Sequence, residues 1–516
     1  MNSHAPIVPI VLPALTAALM LLDRRIEHQR TLAWVSSLLQ AGCALWLLGL
    51  VSDGTRLVYL LGNWPVPLGI PLVCDRLAAM MVALVALLAL VTQASAQPRW
   101  DTQGAHFHPL VQVQCMGLNG AFLTGDLFNL FVCFEVLLIA SYGLLLHGDG
   151  RARLRAGVAF VAINLLGSAI FLLGATLLYG VTGTLNLADL SVRMRDLPAS
   201  AATLALIGVA LLVTVFSLKA ALLPLQLWLP ASYGAACPPV AALFAIMTKV
   251  GVYALLRLST LVVPEGEAGG PAGAGPWLAG WAALAYGLAM IGALAARDLR
   301  GLASMLLIGS AGVLLMGIGW GSTASLAAAL FYLPHTTLAA AALYLLADLS
   351  RRGRGLAGDG LVPGPAMLRP ALTGLLFVLT AVAVAGLPPL GGFIGKAMLL
   401  TALLPEAEAS AGATGALWAS LLVGSLFGLV ALSRAGSVLF WKTESGPVRG
   451  VPAPALREYL PVLLLLGGVL ALTLWAAPMQ RFVSGAAQDL RTPEALVDAV
   501  LQTAPLPGPH RSGNAP

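Results

Sequence analysis

Fourteen long apolar runs, separated by short polar loops, account for most of this sequence. A helix needs about 20 apolar residues to cross the hydrocarbon core of a bilayer. Runs of this length lie at 5–22, 31–51, 73–96, 107–125, 127–146, 157–181, 203–223, 237–261, 277–296, 299–320, 323–349, 371–390, 416–441 and 458–478. The pattern therefore predicts an all-α, polytopic membrane protein with about fourteen transmembrane helices.

Composition agrees with a lipid environment. The 516 residues are 59% hydrophobic and 10% charged, whereas a soluble protein carries roughly 25% charged residues. The net charge of +6 could indicate nucleic-acid binding, but the basic residues lie in short loops and do not form one arm or patch. None of the five cysteines forms a CxxC pair, so we expect neither a disulfide framework nor a metal site.

The distribution of basic residues predicts the orientation, because short cytoplasmic loops collect Lys and Arg. With the N-terminus outside, sixteen basic residues fall in cytoplasmic loops and five in external loops. The cytoplasmic set is Arg24, Arg25, Arg30, Arg99, Arg151, Arg153, Arg155, Arg297, Arg300, Arg351, Arg352, Arg354, Arg369, Lys442, Arg449 and Arg457. The external set is Arg56, Arg76, Arg193, Arg195 and Arg257. We expect a multi-pass protein of a bacterial inner membrane with both termini on the periplasmic side.

The chain divides by its helices, and no loop is long enough to fold alone. The predicted organisation is 1–100 (helices 1–3), 107–261 (a first repeat), 277–441 (a second repeat), 458–478 (the last helix) and 479–516 (an external tail). In the tail, Thr492 is the expected N-cap of a short helix, with Pro493 in its first turn. We expect the stretch Pro505–Pro516 to be disordered. A soluble catalytic domain is not predicted, so we expect a non-enzyme.

Six ionisable residues are predicted at membrane depth. They are Glu135, Lys219, Lys249, His335, Lys396 and Arg434. A charge near the bilayer centre costs at least a few kcal/mol, so each must be paired, solvated or neutral. Glu135 is predicted near mid-membrane, where it serves either a function or a structural ion pair between two helices. Arg434 keeps its charge and cannot relay a proton, so it is interpreted as structural or as a charge partner.

Two of the lysines stand beside predicted helix breaks. Lys219 lies five residues before Pro224, which predicts an interruption near 224–230. Broken helices are tolerated in membranes where they line a cavity or pathway, and a Glu135–Lys219 pair would tune the proton affinity of the lysine there. Lys396 follows a Gly- and Pro-rich stretch, which predicts a second break. The prolines of that stretch are Pro388 and Pro389.

The recurrence of a broken helix with a lysine suggests an internal structural repeat, as is common in transporters. Lys249 lies between the two breaks along the chain. His335 could relay a proton through either ring nitrogen. The alternative for His335 is a neutral structural histidine that donates to a backbone carbonyl. Together the buried Glu, Lys and His residues predict a proton path.

Four stretches resemble the antiporter-like membrane subunits shared by multisubunit Mrp-type cation/proton antiporters and respiratory complex I. They are Phe128–Val136, Leu218–Pro230, Met247–Arg257 and Gly386–Lys396. Within that family the chain is most similar to the D subunits of the Mrp/Pha type. Gly117–Phe131 and Phe440–Lys442 carry this second resemblance.

The resemblance implies fourteen core helices, built as two inverted five-helix repeats in which helices 7 and 12 are broken. It also implies that Glu135 faces Lys219, that Lys249 is the central relay, and that Lys396 ends the second half-channel. The sequence departs from the family in two places. Gln226 stands where the common PLHxWLP form has histidine, and Asp298–Ser310 has fewer polar residues than usual. We therefore expect the hydration of the second half-channel to differ.

The sequence supports a proton-translocating subunit of a multisubunit Na⁺(K⁺)/H⁺ antiporter. The alternatives are a proton-pumping subunit of a redox complex, such as complex I or a membrane-bound hydrogenase, and a scaffold that holds a transporting complex together. Because no flavin motif, metal cluster or nucleotide loop is found, we expect no cofactor, and energy must come from a gradient or a partner. Other subunits of a hetero-oligomeric complex are the expected partners, and part of the cation path is expected to lie in one of them.

Overall fold

A bundle of long helices forms the protein in the computed structural model, which describes residues 2–97, 99–263, 274–404 and 411–505. The helices are α1 (Val8–Leu22), α2 (Ile26–Val51), α3 (Arg76–Ala96), α4 (Phe107–Leu123), α5 (Leu127–Leu146), α6 (Arg151–Thr182), α7 (Leu187–Arg193), α8 (Ala199–Lys219), α9 (Trp228–Ala235), α10 (Pro238–Phe244), α11 (Met247–Arg257), α12 (Ala274–Ala295), α13 (Leu299–Trp320), α14 (Thr323–Arg351), α15 (Pro370–Ala385), α16 (Gly391–Ala402), α17 (Ala411–Gly436), α18 (Leu460–Leu474), α19 (Ala476–Arg491) and α20 (Glu494–Leu501). Single π-helical turns extend α11 and α17.

Short strands join loops at the two ends of the bundle. Strands β1 (Leu57–Leu60) and β2 (Pro71–Cys74) pair antiparallel in the connection between α2 and α3. Strands β3 (Gly364–Pro365) and β4 (Thr443–Ser445) pair in parallel and join the loops that follow α14 and α17.

The predicted helical, multi-pass architecture is confirmed. Within the described residues, 12 helices are long and apolar enough to cross a membrane. The predicted run 107–125 corresponds to α4, which has 17 residues, and the run 371–390 corresponds to α15 with the break before α16. These two segments fall outside that set, so the number fourteen remains a prediction.

Two elements form the central axis of the bundle. In the most apolar 18-residue stretch of Pro238–Val262, and in that of α14, every residue is buried. In the corresponding stretches of α1, α2, α6 and α8, 39% of the residues are buried. A membrane helix surrounded on all sides must pack closely, and small residues allow that approach. Ala339–Ala342 in α14 provides such a surface. The outer helices instead turn apolar side chains such as Leu165 and Leu173 outward.

Both predicted helix breaks are present. Helix α8 ends at Lys219 and α9 begins at Trp228, with Pro224 between them. Helix α15 ends at Ala385 and α16 begins at Gly391, with Pro388 and Pro389 between them. In each case proline removes a backbone donor that a continuous helix would need.

Ion pairs tie together the loops at one end of the bundle. Arg30 of α2 binds Asp101 in the α3–α4 loop at 2.7 Å, and Arg99 of the same loop binds Asp348 near the end of α14 at 3.1 Å. Arg352 follows α14 and lies at the same end. We call this the arginine-rich end, since it carries most of the basic loop residues counted in the sequence.

Asp101 is buried at this end between two partners. Arg30 donates through Nε and Nη2 at 2.7 and 3.2 Å, and His108 Nε2 lies 3.3 Å from the carboxylate. Burial alone would raise the pKa of Asp101, but the hydrogen bonds from His108 and Arg30 outweigh it and hold the pKa below its usual value. The carboxylate therefore stays charged and anchors the α3–α4 loop to α2.

We expect Asp101→Asn to destabilise the protein by about 1.5–3 kcal/mol, because it removes a buried carboxylate that accepts two hydrogen bonds from the Arg30 guanidinium. Arg30 is partly exposed and keeps its 2.9 Å pair with Glu27, so its charge is not left without a partner. A depressed pKa contributes stability above the unfolded pKa of about 3.9 and loses it as the pH falls through the lower folded value. Thermal unfolding of the detergent-solubilised protein at neutral pH and at acidic pH measures both effects. Asp53→Asn, in an exposed loop, is the control. Equal melting temperatures for wild type and Asp101→Asn would contradict the prediction.

The C-terminal part contains more ordered structure than the predicted tail. Helix α19 buries one face, and its Asp489 binds Arg56 at 3.0 Å and Arg76 at 2.8 Å at the end opposite the arginine-rich end. Helix α19 has a low mean hydropathy, so no long apolar run marks it in the sequence, although its buried residues follow helical spacing. The predicted short helix is α20, which begins at Glu494. Its N-cap is Pro493, so the prediction of Thr492 as the N-cap was wrong; Thr492 is instead the C-cap of α19. From residue 506 onward, the stretch expected to be disordered lies outside the described residues.

Candidate proton path

Glu135 lies in α5 and contacts α6. The side chain of Asp126 caps the start of α5 by accepting from the Asn129 backbone at 2.7 Å. Glu135 is half-buried, and the Ser168 hydroxyl of α6 donates a hydrogen bond to its carboxylate. A carboxylate at this depth needs such a donor, because an unsatisfied charge is costly in an apolar environment.

Lys219 is the last residue of α8, at the start of the first helix break. Its side chain is buried, and its Nζ donates to Asn164 Oδ1 of α6 at 2.8 Å. The ammonium also lies 5.8 Å from the centre of the Phe134 ring. The C-terminal end of a helix carries partial negative charge, which favours a cation at this position.

Helix α6 links the glutamate to the lysine. Among the described residues, Glu135 and Lys219 do not form a direct ion pair within 4.0 Å. Instead they bind Ser168 and Asn164, which lie one helical turn apart on α6. Sequence analysis missed both bridging residues. Their spacing of four, as two polar residues on one face of an apolar run, is the signal that could have found them.

We expect Ser168→Ala to reduce transport by about tenfold, because a hydrogen bond to a charged group contributes roughly 1.5–3 kcal/mol. The rate of cation-driven proton movement, normalised to the amount of assembled protein, measures the effect. The control is Ser141→Ala in α5, whose buried hydroxyl bonds only the Leu138 backbone. If both variants transport at the wild-type rate, the α6 link is not part of the path.

Lys249 is fully buried in α11, on the central axis. Its Nζ donates to Ser310 Oγ of α13 at 2.7 Å. Helix α11 comes so close to the first break that Gly251 packs directly against the backbone of Lys219 and Ala220, leaving no room for a Cβ atom. Helix α11, which carries Lys249, therefore packs directly against the end of α8, where Lys219 lies.

Lys396 lies in α16, after the second helix break. Its Nζ donates to the backbone oxygen of Ala385 at 2.9 Å and to Ser425 Oγ at 3.1 Å. Ala385 is the last residue of α15, so the break provides a carbonyl that a continuous helix would have used internally. Tyr286 extends this group through a 3.0 Å hydrogen bond between its hydroxyl and Ser425.

A small cavity, with room for about one water molecule, lies between the partners of the last two lysines. Ser310, which binds Lys249, lines it together with Lys396, Ser425, Tyr286, Tyr332 and Thr336. A cavity with several polar groups can hold water that bridges them. We call it the inner cavity. It lies where a proton could pass between Lys249 and Lys396.

His335 lies beside this cavity but does not line it. Its ring is buried, and Nε2 lies 2.9 Å from the backbone oxygen of Ala383. Since a carbonyl only accepts, Nε2 carries a proton in this hydrogen bond. Nδ1 has no partner within the described part of the chain. This geometry matches the structural alternative that the sequence left open for His335.

Arg434, interpreted from the sequence as structural or as a charge partner, contacts the C-terminal end of α12. The residue is exposed, and its Nη2 donates to the backbone oxygen of Ala296 at 2.7 Å, just after α12 ends. Long basic side chains near helix ends reach the membrane surface in this way. Arg434 thus binds one of the free carbonyls at the C-terminus of α12.

Gln226, which departs from the family pattern, lies in the first helix break. Its Oε1 atom is buried and has no hydrogen-bond partner among the described residues. An amide cannot take up and release a proton near neutral pH as histidine does. Lys219 donates its hydrogen bond to Asn164 of α6 and not to Gln226.

Comparison with known proteins identifies this arrangement of broken helices and buried lysines. Residues 124–423 match the family model described as "NADH:quinone oxidoreductase/Mrp antiporter, TM". The chain belongs to this family. The match covers both helix breaks and all of the buried lysines described above.

Three similar proteins extend this family relationship over the whole chain. The D subunit of a probable K⁺/H⁺ antiporter from Rhizobium meliloti is 41% identical, over 98% of each chain. The D subunit of a Na⁺/H⁺ antiporter from Bacillus subtilis is 33% identical, over 96% of this chain and 99% of its own. A chain in the structure of the Mrp complex from Dietzia is 27% identical with a TM-score of 0.85, covering 97% of this chain and 99% of its own. This member of the family therefore resembles the D subunits of antiporters along nearly its full length.

Proposed function

We propose that this chain is the proton-translocating membrane subunit of a multisubunit monovalent cation/proton antiporter. The observation that carries the proposal is the row of three buried lysines, each held by a polar partner, with a cavity between the last two. The names of the similar proteins support it, since both curated relatives are named as D subunits of cation/proton antiporters. We propose that it acts as a transporter subunit and not as an enzyme.

In the proposed mechanism, Lys219 gains and loses a proton. Each change alters the charge that acts on Glu135, which is connected to Lys219 through Ser168 and Asn164 of α6. The two charges are close enough in a low-dielectric setting for each to alter the proton affinity of the other. A proton then passes from the Lys249 ammonium through the Ser310 hydroxyl to the inner cavity. At the far side Lys396 takes it up, and the Ala385 carbonyl and Ser425 hydroxyl hold the charged form.

The proposed architecture retains the predicted repeats. Helix α4 and the α15–α16 pair would complete fourteen spans, and the two helix breaks would occupy corresponding places in inverted five-helix repeats. The proposed units are 1–100, 107–261, 277–441, 458–478 and 479–516. We place the arginine-rich end in the cytoplasm of a bacterium and both termini on the periplasmic side of its inner membrane.

A proton-pumping subunit of a redox complex is the second candidate. The description of the matching family includes NADH:quinone oxidoreductase, which supports this alternative. Purification of the intact complex separates the two. Iron–sulfur subunits among the co-purifying proteins would favour the redox pump, whereas a set of small membrane proteins alone would favour the antiporter.

Everted vesicles from an antiporter-deficient host that expresses the complete locus test the proposal. A pH-sensitive dye reports whether added Na⁺ or K⁺ collapses the proton gradient that respiration has established. Both ions are needed, because the relative at 41% identity is named for K⁺ and the one at 33% for Na⁺. Cation-induced collapse supports antiport. An assembled complex that responds to neither ion would overturn it.

A scaffold role makes a different prediction for the buried charges. If the chain only holds the complex together, neutral substitutions at the lysines would leave transport intact in every variant that assembles. The proposal predicts the opposite, so the same vesicles distinguish the two roles.

A further inference from the structure

A second small cavity lies at the arginine-rich end between α3, α10, α14 and the segment before α18. We call it the outer cavity. Asp348, Arg352 and Glu458 contribute charged groups to its lining, and Gln97 and Ser95 contribute neutral polar ones. Neither the buried lysines nor their hydrogen-bond partners form part of this lining. The proposed path through the three lysines therefore does not account for the outer cavity.

Asp348 is the buried carboxylate of the outer cavity. Its Oδ2 atom lies 3.1 Å from Arg99 Nη1 and 3.6 Å from Arg352 Nη2, and Arg352 also binds Glu458 at 2.5 Å. Arg351 precedes Arg352 on the same helix end. Oδ1 of Asp348 is buried and accepts no hydrogen bond from the described protein groups. A buried carboxylate oxygen without a protein donor has room to bind water or a proton.

Tyr344 lies one helical turn deeper than Asp348 on α14. It is fully buried, and its hydroxyl is 2.8 Å from Ser304 Oγ of α13, which also donates to the Arg300 backbone oxygen at 2.8 Å. The inner cavity begins immediately beyond this pair, where Leu343 and Ala303 line it. From Asp348 to Leu343 the helix rises about 7.5 Å, at roughly 1.5 Å per residue. Tyr344 therefore stands on α14 between Leu343, which lines the inner cavity, and Leu345, which lines the outer cavity.

We propose that the outer cavity is the cytoplasmic mouth of the proton path, with Asp348 as its proton-exchanging group and the Tyr344–Ser304 pair as the constriction. A proton leaving the inner cavity is passed through the two hydroxyls, each giving up one proton as it receives another. It then binds a carboxylate oxygen of Asp348 and is released to water at the surface. This inference rests on the proposed function.

The packing between the two cavities favours a proton over a metal cation. Tyr344 is fully buried there, so an ion on this route would have to lose its water shell, whereas hydroxyl groups donate and accept protons without opening. The positive charges of Arg99 and Arg352 act on both species alike and do not distinguish them. We therefore assign the outer cavity to the proton path and not to the cation path.

The test measures the initial rate of cation-induced proton release from everted vesicles, normalised to assembled complex. We expect Asp348→Asn to lower the rate by about tenfold or more, and Asp348→Glu to restore it to within about twofold of wild type. Tyr344→Phe, which keeps the ring and removes the hydroxyl, should lower the rate several-fold. If Asp348→Asn does not assemble, Tyr344→Phe decides the outcome alone.

Two controls separate transport from structure. Asp489→Asn removes a carboxylate that also binds two arginines, but at the opposite end of the bundle. Ser350→Ala removes a buried hydroxyl of α14 that lines neither cavity. Both should transport within about twofold of wild type.

Each remaining outcome has a definite meaning. A wild-type rate in both Asp348→Asn and Tyr344→Phe would overturn the mouth while leaving antiport intact. Loss in Asp348→Asn that Asp348→Glu does not restore, in an assembled complex, would show a structural ion pair and would also overturn it. If the wild type itself gives no cation-induced signal, the proposed function fails before the mouth is tested.

Discussion

Lys219→Ala is expected to lower cation-driven proton transport by about 100-fold or more, the range in which loss of a positioned proton-transfer group usually falls. The substitution removes the ammonium that binds Asn164 Oδ1 at the start of the first break. It also removes the charge that acts on Glu135 through α6. The next lysine, Lys249, already donates to Ser310 of α13.

The chain offers a matched control for this loss. Lys442 follows α17 and is exposed, so Lys442→Ala changes the same residue type without touching the buried row. We expect Lys442→Ala to transport within about twofold of wild type. The measurement is the dye response of everted vesicles at equal amounts of assembled complex. Equal rates for the two variants would remove Lys219 from the path.

Lys249→Met is expected to have an effect of the same size, about 100-fold, because it interrupts the row at its centre. Methionine fills most of the space of the lysine stem in a fully buried position, so the packing of α11 should persist. What is lost is the ammonium that donates to Ser310 Oγ at 2.7 Å. Ser310→Ala should cause a smaller loss, about tenfold, since water in the inner cavity can replace the hydroxyl in part.

A neighbouring polar residue provides the control for Lys249. Thr248 precedes it in α11 and is equally buried, so Thr248→Val tests whether any change at this level of the helix is harmful. The same vesicle assay, with the amount of co-purified complex as the measure of assembly, gives the comparison. Full transport in Lys249→Met would contradict a continuous path from Lys219 to Lys396.

The sequence predicted the fold well, because the length of an apolar run and the chemistry of proline act locally. A run of about 20 apolar residues has few alternatives to a membrane helix. Pro224 and the Pro388–Pro389 pair each lie within an observed break. The three buried lysines could also be found, since an ammonium inside an apolar run is rare enough to stand out.

Contacts between helices could not be predicted in the same way. The sequence predicted that Glu135 and Lys219 act as a pair, and this stays a prediction. It did not predict the hydrogen-bond partners: Glu135 accepts from Ser168 of α6, and Lys219 donates to Asn164 of the same helix. Helix rotation depends on packing with all neighbours at once, which a single run does not encode.

Residues near the ends of apolar runs were also hard to place. Arg434 lies in a run that continues to residue 441, and its guanidinium binds a carbonyl at the end of α12, a contact that one run cannot reveal. Helix α19 was missed because its polar face lowers the mean hydropathy that defines a run. Both residues of the proposed mouth, Asp348 and Tyr344, also lie in the last turns of a long helix, where sequence alone gives no depth.

The central claim is that a cation gradient drives protons through this chain. The most direct measurement reconstitutes the purified complex in liposomes without any respiratory enzyme, imposes a K⁺ or Na⁺ gradient, and follows internal pH. The account predicts proton movement opposite to the cation in wild type and its loss in Lys219→Ala at equal reconstitution. Equal proton movement in both, or cation-driven movement that needs no buried lysine, would contradict it.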